Sequence, residues 1–225
     1  MANDDDPTVG RRTVLAGAGA TLTAAVAGCA GQFSGRLNET ATISETYDAT
    51  DLEGLVAETT NGEVTVTGED RDTVELEAVK QASSREALEA TTVDVAREGG
   101  VLSITVDEAD RRLTDPSPRV DLELSVPADL RVARVETVNG DVDVSGVFGP
   151  LVARSTNGDV TTTGINGDVT VELVNGDVEV DGVDGSVSVE TVNGDIEVRS
   201  VTGDATVQTT NGDVSVTDVD GTVTT

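Results

Sequence analysis

The C-terminal part of the sequence repeats one 18-residue pattern five times, beginning at residue 135. Every repeat carries an Asn-Gly-Asp or Asn-Gly-Asp-like corner followed by alternating Val or Ile and polar residues, and a second glycine falls nine residues after the first. The repeated asparagines are Asn139, Asn157, Asn175, Asn193 and Asn211. Each unit therefore holds two short strands and two turns, which is typical of a repeat architecture built by stacking.

Two folds are compatible with this pattern. Asn-Gly between alternating strands is a strong hairpin signal and favours an antiparallel meander. A meander is a single sheet, however, and nothing in residues 135–225 has the periodicity of a helix that could cover its valine face. In a parallel solenoid the two strands of each coil face each other, so their apolar sides bury one another. We therefore predict the all-β class, with a parallel β-solenoid of 18-residue coils and two short strands per coil.

The solenoid predicts columns of identical residues. The expected inward columns are Val142, Val160, Val178, Ile196 and Val214; Leu151, Val169, Val187, Ala205 and Val223; and Val147, Ile165, Val183, Val201 and Val219. At the corners, the glycine can accept a positive φ, and the asparagine amides are expected to form a ladder along the stack.

The N-terminal half carries the same pattern less regularly. A single copy, "ETTNGEVTVTG", runs from Glu58 to Gly68 and is followed by an alternating strand. Ser83 and Glu86 have capping-box spacing, which predicts one short helix. Two strands joined at Gly99 and Gly100 and a further strand, "VDLELSVPADLRV", complete this half. We expect one domain over residues 51–225, with an irregular first part at 51–134 and regular repeats at 135–225.

The first 28 residues have the layout of a signal peptide. Arg11 and Arg12 precede a short apolar run, and the run ends in "VAGC". The paired arginines indicate twin-arginine export, and the ending resembles the lipobox of lipoproteins. Cys29 would then be the first mature residue and the site of lipid attachment. This layout predicts an extracytoplasmic protein that is membrane-anchored at the outer face of the cell membrane.

Residues 29–50 are polar and lack a clear period, so we expect a flexible tether between the lipid and the domain. The tether contains an N-glycosylation sequon at Asn38, which makes Asn38 a candidate modification site.

The charge balance excludes one partner class. The formal net charge is −29, and Lys80 is the only lysine. Nucleic acid would be repelled by such a surface. Acidic surfaces of this kind keep proteins soluble at high salt, so the composition is typical of secreted proteins from halophilic archaea, although low-salt organisms also make acidic proteins.

The order of features resembles a known family. The "ETTNGEVTVTG" copy, the short helix, the "SVPADL" strand and the repeated "TxNGDVxVxG" are similar to the adhesin family of extracytoplasmic β-solenoid domains, over about residues 51–225. The resemblance implies a non-enzymatic, adhesin-like domain. It carries over no catalytic site.

A column of aspartates is the candidate binding feature. It comprises Asp141, Asp159, Asp177, Asp195 and Asp213. In a parallel stack these carboxylates would lie about 4.8 Å apart and repel each other. Two arrangements could relieve that repulsion. Each aspartate could cap backbone N–H groups at its corner and stay solvated, or the column could bind a cation such as Ca²⁺, which prefers oxygen ligands.

Catalysis has little support in the residues. The chain has no histidine and one cysteine, so no nucleophilic triad can be assembled. A polysaccharide-acting enzyme that uses only carboxylates is the remote alternative, but three aromatic residues leave almost none for stacking on sugars. The sequence thus favours an exported, lipid-anchored surface protein without a required cofactor, with an envelope or surface protein or a polysaccharide as its partner. A Ca²⁺-binding structural module is the alternative.

Overall fold

The computed structural model of the chain describes residues 23–26, 37, 39–108 and 117–225. Within these residues the backbone forms strands almost throughout, with one short helix. The irregular half contains β1 (Thr23–Val26), β2 (Glu39–Asp48), β3 (Gly54–Glu58), β4 (Val64–Glu69), β5 (Thr73–Ala82), α1 (Arg85–Ala90), β6 (Thr91–Glu98), β7 (Val101–Glu108) and β8 (Arg119–Pro127). The repeats contain β9 (Val132–Glu136), β10 (Val142–Ser145), β11 (Leu151–Asn157), β12 (Val160–Asn166), β13 (Val169–Asn175), β14 (Val178–Asp184), β15 (Val187–Asn193), β16 (Ile196–Val201), β17 (Ala205–Asn211), β18 (Val214–Val219) and β19 (Val223–Thr224).

The repeats form a parallel β-solenoid, as the sequence predicts. Even-numbered strands from β10 to β18 stack in one sheet, here sheet A, and odd-numbered strands from β9 to β19 stack in the other, sheet B. Each residue pairs with the residue 18 positions later: Val160 lies beside Val178, and Val178 beside Ile196. The antiparallel meander is excluded by these parallel ladders.

The single N-terminal copy is the first coil of this stack. Strands β3 and β4 pair in parallel with β9 and β10, placing Val64 beside Val142 and Asn61 beside Asn139. The segment between β4 and β9 is therefore an insertion between the first two coils. It stacks on the outer side of the first coil, where β8 pairs in parallel with β4 and β7 pairs in parallel with β3.

Antiparallel strands and the helix finish this end of the solenoid. On sheet A, β5 pairs antiparallel with β8, β2 with β5, and β1 with β2. On sheet B, β6 pairs antiparallel with β7. The helix α1 connects the two sheets and buries Leu88. Its N-cap is Ser84, whose Oγ accepts a hydrogen bond from Ala87 N, so the cap lies one residue later than the predicted Ser83.

The sole lysine holds the other end of that helix. Lys80 Nζ donates to the carbonyl oxygens of Leu88 at 3.2 Å and Thr91 at 2.9 Å. A cation at a helix C-terminus satisfies carbonyls that have no partner within the helix. Partial burial lowers the pKa of Lys80.

The predicted tether is wrong for residues 39–48. These residues form β2, which pairs with β5 over all ten positions. The physical reason is that Ile43 and Tyr47 pack against the core, while the intervening Thr and Ser residues fit a half-buried strand. The predictions for Arg11, Arg12, Cys29 and Asn38 lie outside the described residues.

The predicted inward columns are buried in every coil but the last. Val142, Val160 and Val178 are fully buried, whereas Val214 and Val223 in the last coil are 37% and 45% exposed. The sequence analysis missed further inward positions along the same strands. These are Val144, Thr162, Val180 and Val198 on sheet A, and Ala153, Val171, Val189 and Val207 on sheet B.

The corner glycines allow the coils to approach each other. Gly158 has a φ of +141°, and a Cβ atom there would lie 2.1 Å from the carbonyl oxygen of Gly140 in the preceding coil. Gly164 also has a positive φ, +65°, but its nearest neighbouring atom would be 3.9 Å from an added Cβ. Both glycines therefore have a positive φ, but only Gly158 lies in close contact with the backbone of a neighbouring coil.

We predict that Gly158→Ala destabilises the fold much more than Gly164→Ala. The second change introduces only the left-handed conformation, which costs about 1–2 kcal/mol. The first also forces neighbouring coils apart, and we expect a loss of about 3 kcal/mol or more in the free energy of unfolding. Urea unfolding followed by circular dichroism measures both. Equal losses would show that the coils are not tightly stacked at this corner.

Candidate functional site

The Asn-Gly corner carries a continuous ladder of side-chain amides. In each coil the asparagine Nδ2 donates to the Oδ1 of the asparagine one coil earlier, at 2.8–3.0 Å. The ladder joins Asn139, Asn157, Asn175, Asn193 and Asn211, and it begins at Asn61, which the sequence analysis left out. Its repeated amide bonds tie each coil to the next outside the backbone ladders.

The aspartate column is also a ladder, but of a different kind. Each carboxylate Oδ1 accepts a hydrogen bond from the backbone N–H of the aspartate in the next coil. The distance is 2.8 Å for the pairs Asp141 with Asp159, Asp159 with Asp177, Asp177 with Asp195, and Asp195 with Asp213. One oxygen of each of the first four carboxylates is thus used within the protein. Of the two arrangements considered for this column, the geometry is closer to the capping of backbone N–H groups, except that each N–H belongs to the next coil.

The second corner has a similar ladder that the sequence analysis missed. Asp168 Oδ1 accepts from Ser186 N at 2.8 Å, and Asp204 Oδ1 accepts from Thr222 N at 2.8 Å. The signal was available, because an Asp, Ser or Thr follows the second glycine in four consecutive units, at residues 168, 186, 204 and 222. The first corner is therefore lined with carboxylates in every coil, whereas at the second corner Asp168 and Asp204 alternate with Ser186 and Thr222.

The outer face of sheet A continues the acidic surface. The row beside the aspartate column contains Asp143, Thr161, Glu179, Glu197 and Ser215. A shallow groove runs between this row and the aspartates in the last four coils. Partial burial and the charge of Asp141 raise the pKa of Asp143. The groove therefore attracts cations and repels anionic ligands.

Arginines on the flat faces lie between carboxylates. On sheet B, Arg154 makes a two-pronged pair with Glu172, with Nε–Oε2 at 2.9 Å and Nη2–Oε1 at 2.8 Å. This contact lowers the pKa of Glu172 and raises that of Arg154. On sheet A, Arg199 contacts both Glu179 and Glu197. Exposed pairs of this type contribute little stability individually, but they interrupt rows of like charge.

The corner carboxylates of the described residues run in rows along the coils. In the part of the chain that the structure describes, no three His, Cys, Asp or Glu side chains converge in a way that could hold a metal ion. Cation binding by the aspartate column therefore stays a prediction. Among the same residues, no helix is long and apolar enough to cross a bilayer.

The stacked coils, laddered corners and acidic faces define the class of protein: a rigid β-solenoid with a repetitive surface. A family model described as Toastrack DUF4097 matches residues 52–223. The chain belongs to this Toastrack family, and the match covers nearly the same residues as the resemblance seen in the sequence.

The chain is also similar to solved structures. One is a "putative cell adhesion protein" from Clostridium sporogenes, at 8% identity, covering 78% of this chain and 97% of that one, with a TM-score of 0.43. Another is a "putative adhesin" from Bacteroides fragilis, at 16% identity, with coverages of 81% and 96% and a TM-score of 0.43. A third, from Parabacteroides distasonis, is described as a "putative lipid binding protein", at 9% identity, with coverages of 81% and 96% and a TM-score of 0.28. Among curated proteins, none matches the chain. The family assignment rests on the family model.

We predict that the amide ladder contributes cooperatively to stability. Asn175 makes ladder bonds in both directions, so Asn175→Ala removes two of them, and we expect a loss of about 1–3 kcal/mol. A double-mutant cycle with Asn193→Ala in urea unfolding should give a coupling energy of at least about 0.5 kcal/mol. Thr206→Ala, on an outward strand position, is the control and should have little effect. Simple additivity of the two asparagine changes would contradict a ladder.

We predict that the charge of the aspartate column opposes folding at low salt. Asp177→Asn keeps an Oδ1 acceptor for Asp195 N and removes one charge, so it should raise the melting temperature at low salt by a few degrees. The gain should shrink at 1 M NaCl, where the Debye length is about 3 Å. Asp177→Ala removes the acceptor as well and should lower the melting temperature at both salt concentrations.

The same melting experiment tests whether the aspartate column binds calcium. At fixed ionic strength, an increase in melting temperature with CaCl₂ in the unchanged protein but not in Asp177→Asn would indicate ordered cation binding. If CaCl₂ changes the melting temperature of neither protein, the calcium hypothesis for this column is wrong.

Proposed function

We propose that this Toastrack protein is exported, lipid-anchored and non-enzymatic, and that it presents its acidic solenoid as a contact surface at the outer face of the cell membrane. Its partners are an envelope or surface protein or a polysaccharide, and its surroundings are rich in salt. The observation that carries the proposal is a rigid, repetitive face whose carboxylates are held by backbone N–H groups, in a chain without histidine.

The case for a non-enzymatic role is chemical. General acid and base catalysis needs a positioned group whose protonation state suits the reaction. The corner carboxylates are instead arranged as identical, exposed copies that accept N–H bonds along the stack. Such an array suits a multivalent contact, in which many weak interactions add up along a face.

The case for export and anchoring comes from the N-terminal sequence. Arg11 and Arg12 before an apolar run indicate twin-arginine transport, and Cys29 is the chain's one cysteine, placed where a lipid would be attached. A lipid on Cys29 would hold the domain close to the membrane, because only nine residues, 30–38, lie between Cys29 and the start of β2. Two of the similar structures are described as a cell adhesion protein and an adhesin, and we include adhesion in the proposed role.

We predict that Cys29→Ser moves the protein from the membrane fraction to the medium or the soluble extracytoplasmic fraction. The solenoid should remain folded, because its coils, from β3 to β19, come after Cys29 in the chain. Replacing Arg11 and Arg12 together by lysine should instead keep the protein inside the cell. Fractionation and immunoblotting in a host with twin-arginine export measure both outcomes. Membrane attachment that survives Cys29→Ser would contradict the lipid anchor.

A further inference from the structure

The outer edge of β2 is the most unusual backbone feature of the N-terminal end. One side of β2 pairs with β5 at all ten positions, from Glu39 to Asp48. On the other side, the only strand that the described residues provide is β1, which covers Ala41 to Ser44. The remaining positions of this edge have no strand beside them in the described chain. Unpaired N–H and C=O groups on an edge strand are a template for another strand.

The sequence of β2 does little to protect this edge. Over its ten residues it contains no proline or lysine, which are common devices against edge pairing, and two of its three acidic residues, Glu39 and Asp48, lie at its ends. It contains three threonines, one isoleucine and one tyrosine, residue types that favour strands. Its one central acidic residue, Glu45, accepts a hydrogen bond from the Tyr47 hydroxyl and is thereby held near its own strand. The strand is about 34 Å long at 3.4 Å per residue.

The strand that covers this edge lies in the part of the chain that export would remove. Strand β1 spans Thr23–Val26, upstream of Cys29. Cleavage before Cys29 is part of the proposed function, and this step of the inference rests on it. It would remove β1, and no other strand of the described residues lies along that edge of β2. We infer that β2 is a strand-acceptor site, covered by residues 23–26 in the unprocessed chain and used in the mature protein for antiparallel pairing with β2 of a second copy.

Charge favours a second copy in one register. If the two strands pair about a two-fold axis at Ile43, Glu39 lies opposite Tyr47 of the second copy, and Glu45 lies opposite Ala41. Neither of these carboxylates lies directly opposite another. Glu45 and Glu39 of the second copy are diagonal neighbours, so the like-charge repulsion across the new ladder is reduced. The bulk of the acidic solenoid points away from the junction, on the far side of β5 and β8.

The position of β2 in the chain favours the same partner. From Cys29 to Glu39 the chain can span at most about 35 Å, so anchored copies would hold their β2 edges at a similar height above the membrane. Confinement to one surface raises the effective concentration of identical edges. A two-fold pairing of one edge with itself also closes, which gives a dimer rather than a filament.

The test displaces β1 from the edge of β2 while keeping the full chain. The release variant carries Ala24→Pro and Ala25→Pro in a Cys29→Ser background, which prevents lipidation and disulfide formation. Neighbouring N–H groups of a strand point to opposite sides, so one of the two prolines removes a donor that faces β2, and both disfavour the strand. Light scattering after size exclusion in 1 M NaCl should give 23.0 kDa for the parent and twice that mass for the release variant. A release variant that stays at the monomer mass at high protein concentration would overturn the inference. Dimerisation of the parent with β1 intact would also overturn it.

A second pair of variants separates edge pairing from general association. In the assumed register Thr42 faces Ser44 of the second copy, so adding Thr42→Glu and Ser44→Glu to the release variant places like charges opposite each other. We expect the dimer to weaken at least about tenfold, corresponding to 1.4 kcal/mol. The matched control adds Thr206→Glu and Gln208→Glu on β17, which have the same spacing on an exposed face, and it should leave the dimer unchanged. Equal effects of the two pairs would contradict pairing through β2.

Cross-linking tests whether the two-fold axis between the paired β2 strands lies at Ile43. Ile43→Cys in the release variant should form a disulfide between copies, since directly opposite residues of antiparallel strands have Cα atoms about 4.5–5.5 Å apart. Thr206→Cys should not, and equal cross-linking of both would count against the β2 pairing. These measurements involve no membrane, so they report on the edge independently of the anchor. Loss of attachment on Cys29→Ser tests the proposed function alone.

Discussion

In-register stacking at a period of 18 residues is the constraint from which the rest of this structure follows. Parallel pairing places each side chain beside its equivalent one coil later, as Val160 beside Val178 and Asn157 beside Asn175. A residue type is therefore selected for how well it stacks on itself. Valine columns fill the interior, asparagine amides bond to each other, and glycine is required where one coil's backbone touches the next. The repetition of the sequence is a consequence of this geometry.

The same stacking places like charges beside each other, and the structure reduces their repulsion in different ways at the corners and on the flat faces. Identical carboxylates about 4.8 Å apart repel each other. The corner aspartates offset part of this through charge-assisted bonds from backbone N–H groups. On the flat faces the rows are interrupted instead, because Thr161 separates Asp143 from Glu179 and Arg154 lies beside Glu172. What remains is an acidic face whose like-charge repulsion weakens when counter-ions screen it.

The regular half of the fold could be predicted because a fixed period leaves one way to align the columns. Sequence alone could not place the insertion, since β4 presents the same alternating pattern to β8 on one side and to β10 on the other. It also missed β2, where half-buried Thr and Ser residues weaken the apolar period. It missed the hydrogen bonds that the corner aspartates accept from the next coil and the similar ladder at the second corner. The acceptor role of Asp141 follows from the next coil's N–H, which the local sequence does not reveal.

A stacked fold must also stop, and its two kinds of strand pairing explain how this one does. Parallel coils can be extended indefinitely, because each coil offers the next the same edge. The insertion changes the direction of the chain, so that β5, β2 and β6 pair antiparallel and α1 closes over the interior between the sheets. Sheet B ends at β6, whereas sheet A continues through β5 to β2 and β1. The closure therefore covers the apolar interior at the N-terminal end of the solenoid, but it leaves the hydrogen-bonding edge of sheet A to whichever strand lies beside β2.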